Sequence, residues 1–294
     1  MTELEQVRSQ MTAPQADEGT LKNYPVKRQE QFEISTRHGQ TGIYLYEPFT
    51  PEDQKDPLPV LVNFHGGGFV KGYQAKCITF GRILAREGHC LVFDVDYKLA
   101  PEYPYPYALE EGWDVVRFLR SHAADFGGDP DRLVLCGQSS GGNLATVIAM
   151  NMKKAGEPLP LGIISCYAPF DLAQDPVAKA EAGGLPITDF ILRGRLYNEW
   201  YAGAGHAREA YVSPVFATKE DLQGLPPFTV IAGGIDFLCP DSMTFASHLM
   251  EAGVTVTVKK VLGAQHGFLV RRTEGHEEGD RVLFETLRSY FGTL

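Results

Sequence analysis

The feature that most constrains this chain is a regular alternation of short apolar runs, rich in Val, Ile and Phe, with longer segments of helical spacing. Parallel strands joined by crossover helices require that rhythm, and strands covered on both faces read as near-continuous apolar runs. Residues 60–64, 90–95, 132–136, 161–167, 228–232 and 254–261 carry it. Upstream, residues 32–35 and 43–46 flank the turn-forming His38-Gly39, which predicts an antiparallel hairpin at one edge and about eight strands in all. Helices are predicted over residues 74–86, 108–122, 141–154, 241–251 and 278–291. The last presents Val282, Leu283, Leu287 and Tyr290 as one apolar stripe that can dock on a sheet. The expected fold is α/β, a three-layer sandwich around a mostly parallel sheet.

The rhythm breaks once. Residues 171–214 lie between two strands, far longer than the usual connection of about 2–6 residues in α/β units. Within them, residues 187–201 have helical spacing and carry Phe190, Ile191, Leu196, Trp200 and Tyr201, which predicts a folded segment packed on something else. We read it as a cap. Residues 1–25, polar and helix-compatible around 3–11, contribute to the same cap, so residues 1–294 form a single domain with a cap built from 1–25 and 171–214.

Composition narrows the function classes. With 44% hydrophobic and 22% charged residues the chain is of the ordinary globular class, and a net charge of −10 repels nucleic-acid phosphates and anionic lipid. No stretch approaches the roughly 18 apolar residues of a membrane span, and the first residues lack the basic start and apolar core of a secretory signal. The expectation is a cytoplasmic protein. Cys77, Cys90, Cys136, Cys166 and Cys239 are scattered without CxxC spacing, which predicts free thiols rather than a disulfide framework or a zinc site.

Gly137-Gln138-Ser139-Ser140-Gly141 directly follows a predicted strand and directly precedes a predicted helix. Alone the pattern is weak, and a plain Gly-Ser turn is its alternative reading. In that context it is a nucleophile elbow, whose small flanking residues permit a tight turn that leaves the serine Oγ exposed. His65-Gly66-Gly67-Gly68-Phe69 follows another strand, and its glycines let backbone N–H groups approach a developing oxyanion, each worth about 3 kcal/mol in the transition state. A phosphate-binding loop would need a Gly-Lys-Ser/Thr ending or G-x-G-x-x-G spacing, and neither is present. We read His65 as a residue that pins the loop. His266 sits in a small-residue loop after the last predicted strand, placed to act as general base, and Asp236 follows the strand before it, placed to orient that base. The chain order Ser139, Asp236, His266 is that of an α/β hydrolase.

These residues, joined by Asp96-Tyr97-Lys98-Leu99-Ala100-Pro101-Glu102, resemble the hormone-sensitive-lipase-related esterases, the microbial family with an HGGG loop, from about residue 58 to the C-terminus. Val212-Ser213-Pro214 and Leu225-Pro226-Pro227 match that family's exit from its cap. The resemblance implies an α/β-hydrolase fold and a serine carboxylesterase with Ser139 as nucleophile, His266 as base and Asp236 as its orienting carboxylate. It implies oxyanion donors in the backbone N–H groups of Gly67, Gly68 and Ser140, a preference for short-to-medium acyl esters, and a homodimer. Asp96 and Glu102 are structural in such relatives. Two departures stand out: the elbow has Gln138 and Ser140 where the family usually has Asp and Ala, and Phe237 follows Asp236 where the family commonly has Pro, which leaves Asp241 as a second candidate carboxylate.

Phe69, Tyr197, Trp200, Tyr201, Tyr211, Phe237 and Phe268 are candidate walls of a pocket for an uncharged acyl or alcohol group, or alternatively packing within the cap. No metal, nucleotide or flavin is implied, because the triad itself supplies nucleophile, proton transfer and charge stabilisation. The same residues also suit an amidase, a formamidase or an acyl-aminoacyl peptidase, and a non-catalytic small-molecule-binding relative would keep the pocket while losing part of the triad.

Overall fold

Eight strands hydrogen-bond into one sheet in the computed structural model, which describes residues 2–9, 11–51 and 56–293. Residues 1, 10, 52–55 and 294 of the predicted domain lie outside the described residues. The strands are β1 (Arg28–Thr36), β2 (Gly39–Glu47), β3 (Leu58–Phe64), β4 (Leu91–Asp96), β5 (Gly128–Gln138), β6 (Ile163–Cys166), β7 (Phe228–Gly233) and β8 (Val256–Val261). Their order is β1-β2-β4-β3-β5-β6-β7-β8. The predicted hairpin is present as the antiparallel pair β1/β2, with Arg28 opposite Glu47, and β2 runs antiparallel to β4. Every other pairing is parallel.

The helices are α1 (Glu3–Arg8), α2 (Glu18–Asn23), α3 (Ala75–Gly88), α4 (Tyr107–His122), α5 (Ser140–Lys154), α6 (Pro176–Ala182), α7 (Asp189–His206), α8 (Lys219–Leu222), α9 (Cys239–Glu251), α10 (Phe268–Arg271) and α11 (His276–Phe291). Side-chain alternation along the strands builds the layers. Leu133 and Leu135 of β5 join a core with Val115 of α4, Leu144 of α5 and Phe245 of α9. Their neighbours Val134 and Cys136 point the other way, into a core with Ile78 of α3 and Leu283 and Leu287 of α11. This is the three-layer sandwich that the apolar runs predict.

Strand β8 departs from the expectation of full cover. It lies at the edge of the sheet, and Val258 is exposed. All five cysteines are buried and free. Among the described residues, no helix is long and apolar enough to cross a membrane.

The insertion after β6 begins and ends side by side. The Val215 N–H donates to Phe170 O (3.1 Å), the Leu172 N–H donates to Ser213 Oγ (2.7 Å), and Asn143 Nδ2 of α5 donates to both Pro169 O and Val212 O. One asparagine behind the elbow thus clamps both ends of residues 171–214. Helix α6, absent from the sequence reading, starts on Pro176 with Asp175 as its N-cap, the side chain accepting from the Val177 and Ala178 amides. At the other end of the chain, Arg8 of α1 ion-pairs with Glu102 (2.6 Å) and donates to Val70 O, while α2 docks on α3 through Thr20, which contacts Thr79.

Candidate active site

The elbow is built by close backbone approach. Ser139 holds φ 54°, a conformation rare for a residue with a side chain, and its N–H donates to Cys166 O at 2.8 Å. A Cβ on Gly137 would lie 2.1 Å from Gly141 O, and one on Gly141 would lie 1.8 Å from Phe64 O. Glycine is therefore obligatory at both positions. The turn lifts Ser139 Oγ to 2.9 Å from His266 Nε2, and His266 Nδ1 lies 2.8 Å from Asp236 Oδ2. The other Asp236 oxygen accepts the Leu238 N–H at 3.0 Å, which fixes the carboxylate against the ring. With Nδ1–H donating to Asp236, Nε2 is left to accept the serine proton.

Opposite lies the glycine loop. Gly67 (φ 155°) and Gly68 (φ 63°) turn their backbone in ways a side chain would obstruct: a Cβ on Gly67 would meet Lys71 O at 2.3 Å, and one on Gly68 would meet the Tyr197 ring at 2.5 Å. Among the described residues, the N–H groups of Gly67, Gly68 and Ser140 donate to no backbone or side-chain acceptor. Ser140 opens α5, where the first amides have no intrahelical partner. His65 anchors the loop. It is buried, stacks on Tyr97 with ring centroids 4.4 Å apart, and its carbonyl accepts the Tyr97 hydroxyl proton at 2.8 Å. Burial pulls the His65 pKa down, although Asp96 nearby opposes this, so the ring is held neutral.

A family model described as alpha/beta hydrolase fold matches residues 61–270. The chain belongs to that family. Among its alpha/beta hydrolase relatives, the esterase LipI of Mycobacterium tuberculosis is 34% identical over 253 residues, covering 84% of this chain and 76% of LipI. The carboxylesterase NlhH of the same organism is 31% identical, covering 75% of this chain and 70% of NlhH. A solved structure of a hyperthermophilic esterase from the archaeon Pyrobaculum calidifontis superposes with a TM-score of 0.85 at 27% identity, covering 98% of this chain and 94% of that one.

In this alpha/beta hydrolase the cavity over Ser139 is walled partly as predicted. Phe69, Tyr197 and Phe237 line it. Trp200, Tyr201, Tyr211 and Phe268 do not. Tyr201 is fully buried behind the wall, stacked face to face on Phe69 with centroids 3.6 Å apart, and Trp200 and Tyr211 pack against the main core. Phe268 is buried against Tyr167 and Gly279 of α11. No described residue of 1–25 lines the cavity, and α2 is held against the flank of α3. Asp241 is buried away from His266 and ion-pairs with Lys179 of α6 at 2.7 Å.

Other wall residues went unread in the sequence. Phe190 lies 4.9 Å from the His266 ring, centroid to centroid, and Tyr167 meets the same ring edge-on at 5.2 Å. Phe190, Gly194, Tyr197 and Asn198 all line the cavity from α7, one face of the helix. The helical spacing was visible, but which face turns inward was not.

Proposed function

We propose that this protein is a carboxylic ester hydrolase that works through an acyl-enzyme on Ser139. The observation that carries the reading is the unbroken chain Asp236 Oδ2, His266 Nδ1, His266 Nε2, Ser139 Oγ, with both separations under 3.0 Å. His266 takes the proton as Oγ attacks the ester carbonyl, and the new oxyanion accepts the free N–H groups of Gly67, Gly68 and Ser140. Collapse expels the alcohol, protonated by His266, and leaves the acyl group on Ser139. Water, deprotonated by the same imidazole, attacks that acyl carbonyl; the tetrahedral adduct returns the proton to Oγ and releases the acid. Asp236 steadies the imidazolium in both halves. Residues 171–214 and 1–25 form the cap of a single domain, and Phe190, Tyr197 and Phe237 suit a short-to-medium acyl chain. The esterase names of LipI and NlhH support the same reading.

The test is hydrolysis of a p-nitrophenyl ester series from acetate to long-chain acyl, with Ser139→Ala run beside the wild type. Turnover confined to the wild type is expected. Equal rates for both proteins, or turnover of anilides with none of esters, would overturn it.

A further inference from the structure

Four cations line the cavity that holds Ser139 and His266: Lys179, which is paired with Asp241, and Lys71, Lys76 and Arg271. Lys71 follows the glycine loop by one short turn, its N–H donating to Gly67 O at 3.0 Å. Lys76 lies in the first turn of α3, which carries no carboxylate. Arg271 ends α10, and its Nε lies 3.3 Å from where a Gly267 Cβ would stand, so its side chain folds back beside His266. Among the described residues, no carboxylate oxygen lies within 4.0 Å of Lys71, Lys76 or Arg271, and their side chains make no hydrogen bond. This is an unusual arrangement in a chain with 37 acidic and 27 basic residues, where other cations near the site, such as Lys179, have found partners. Lys71 is half-buried, and both that burial and the neighbouring Lys76, Arg193 and Arg271 pull its pKa down. Gathering like charges around partly desolvated space is unfavourable until an anion enters.

The carboxylates that line the cavity, Asp94 and Asp171, and Asp236 just behind His266 are already committed. Asp236 holds His266, Asp171 Oδ1 accepts the Ala173 and Gln174 amides, and Asp94 accepts the Tyr73 hydroxyl and Asn63 Nδ2 deep in the floor. They neutralise none of the three cations, yet their presence disfavours a multiply charged ligand. We propose that the ester this enzyme is built for carries a carboxylate, and that Lys71, Lys76 and Arg271 receive it while Ser139 attacks the ester carbonyl. The proposal rests on the ester hydrolase reading and adds the substrate's charge to it. Arginine and lysine suit the task because a guanidinium pairs with a carboxylate in two parallel hydrogen bonds, and charge-assisted bonds in a shielded site are strong.

Two matched pairs test this and locate the charge. Meta-acetoxybenzoate against meta-acetoxybenzamide places it on the alcohol side, and p-nitrophenyl hydrogen adipate against p-nitrophenyl hexanoate places it on the acyl side. The wild type is expected to favour the anionic member of at least one pair by about tenfold in kcat/KM, chiefly through KM. Lys76→Met/Arg271→Met is expected to bring that ratio near unity, and added salt to shrink it in the wild type. A purely structural role for the two cations would lower both members of a pair together. Neutral members turned over as well as or better than anionic ones in both pairs, or a preference that survives in the double variant, would overturn the proposal alone. Turnover of no ester beyond that of Ser139→Ala would overturn the hydrolase reading and the proposal with it.

Discussion

Asp236 and His266 stand 30 residues apart in the chain, on the loops after β7 and β8, and the parallel pairing of those strands brings Oδ2 to 2.8 Å from Nδ1. Asp236 has almost no exposed side-chain surface, so the contact is shielded from competing water. An Asp236→Asn substitution preserves the shape but offers Nδ1 an amide, which lets the wrong tautomer face the serine. We expect kcat to fall by about 10⁴-fold with the fold intact. Steady-state kinetics at neutral pH beside a circular dichroism melt check this, and a loss under tenfold would show that Asp236 does not orient the base.

The elbow's geometry depends on Gly141. Its Cα faces the end of β3 so closely that a Cβ would stand 1.8 Å from Phe64 O and 2.7 Å from His65 O, both of them backbone atoms. Gly141→Ala is expected to cost at least about 3 kcal/mol of stability in urea unfolding, because neither strand nor helix can retreat without repacking the core. A variant of wild-type stability would mean that the helix start shifts freely.

The buried pair Lys179–Asp241 ties the insertion to the start of α9, and the Asp171 N–H adds a hydrogen bond to the same carboxylate at 3.1 Å. Removing one partner leaves a charge without its counterion in a site that water barely reaches. Lys179→Met should therefore lower stability by about 3–5 kcal/mol, whereas Lys179→Met/Asp241→Leu should recover most of it. Chemical denaturation of the two variants decides between a coupled pair and two independent contributions.

Asp94 gives the fold an unusual dependence on pH. Burial pushes its carboxyl from an ordinary value of 3.8 up to about 7, against the hydrogen bonds from Tyr73 and Asn63 that favour the anion. The folded chain thus binds this proton more tightly than the unfolded chain. Asp94's contribution is most favourable below the unfolded value and is lost as pH rises from about 4 to about 7, after which it is level. Unfolding free energy measured across that range should fall less steeply in Asp94→Asn than in the wild type. Parallel curves for the two proteins would show that Asp94 titrates normally.

Much of this was legible in the chain itself. Apolar runs such as 60–64 can hardly be anything but covered strands, because each successive side chain must find apolar surroundings on opposite faces. Tight-turn chemistry likewise exposed the elbow: only glycine fits at 137 and 141, and that local requirement is written in the sequence. The order of Ser139, Asp236 and His266 along the strands followed from the same rhythm.

What only the tertiary structure decided was direction. The aromatic residues of the insertion announced a packed helix, but its rotation about its own axis is set by docking, which turns Phe190 and Tyr197 to the cavity and stacks Tyr201 behind Phe69. Lys71 and Lys76 are near neighbours in the sequence, but Arg271 lies far along the chain from both, with nothing local to link it to them. A local pattern specifies what one turn or one strand must be; convergence of side chains from distant elements depends on how those elements pack, and the charge of the site exists only once they have done so.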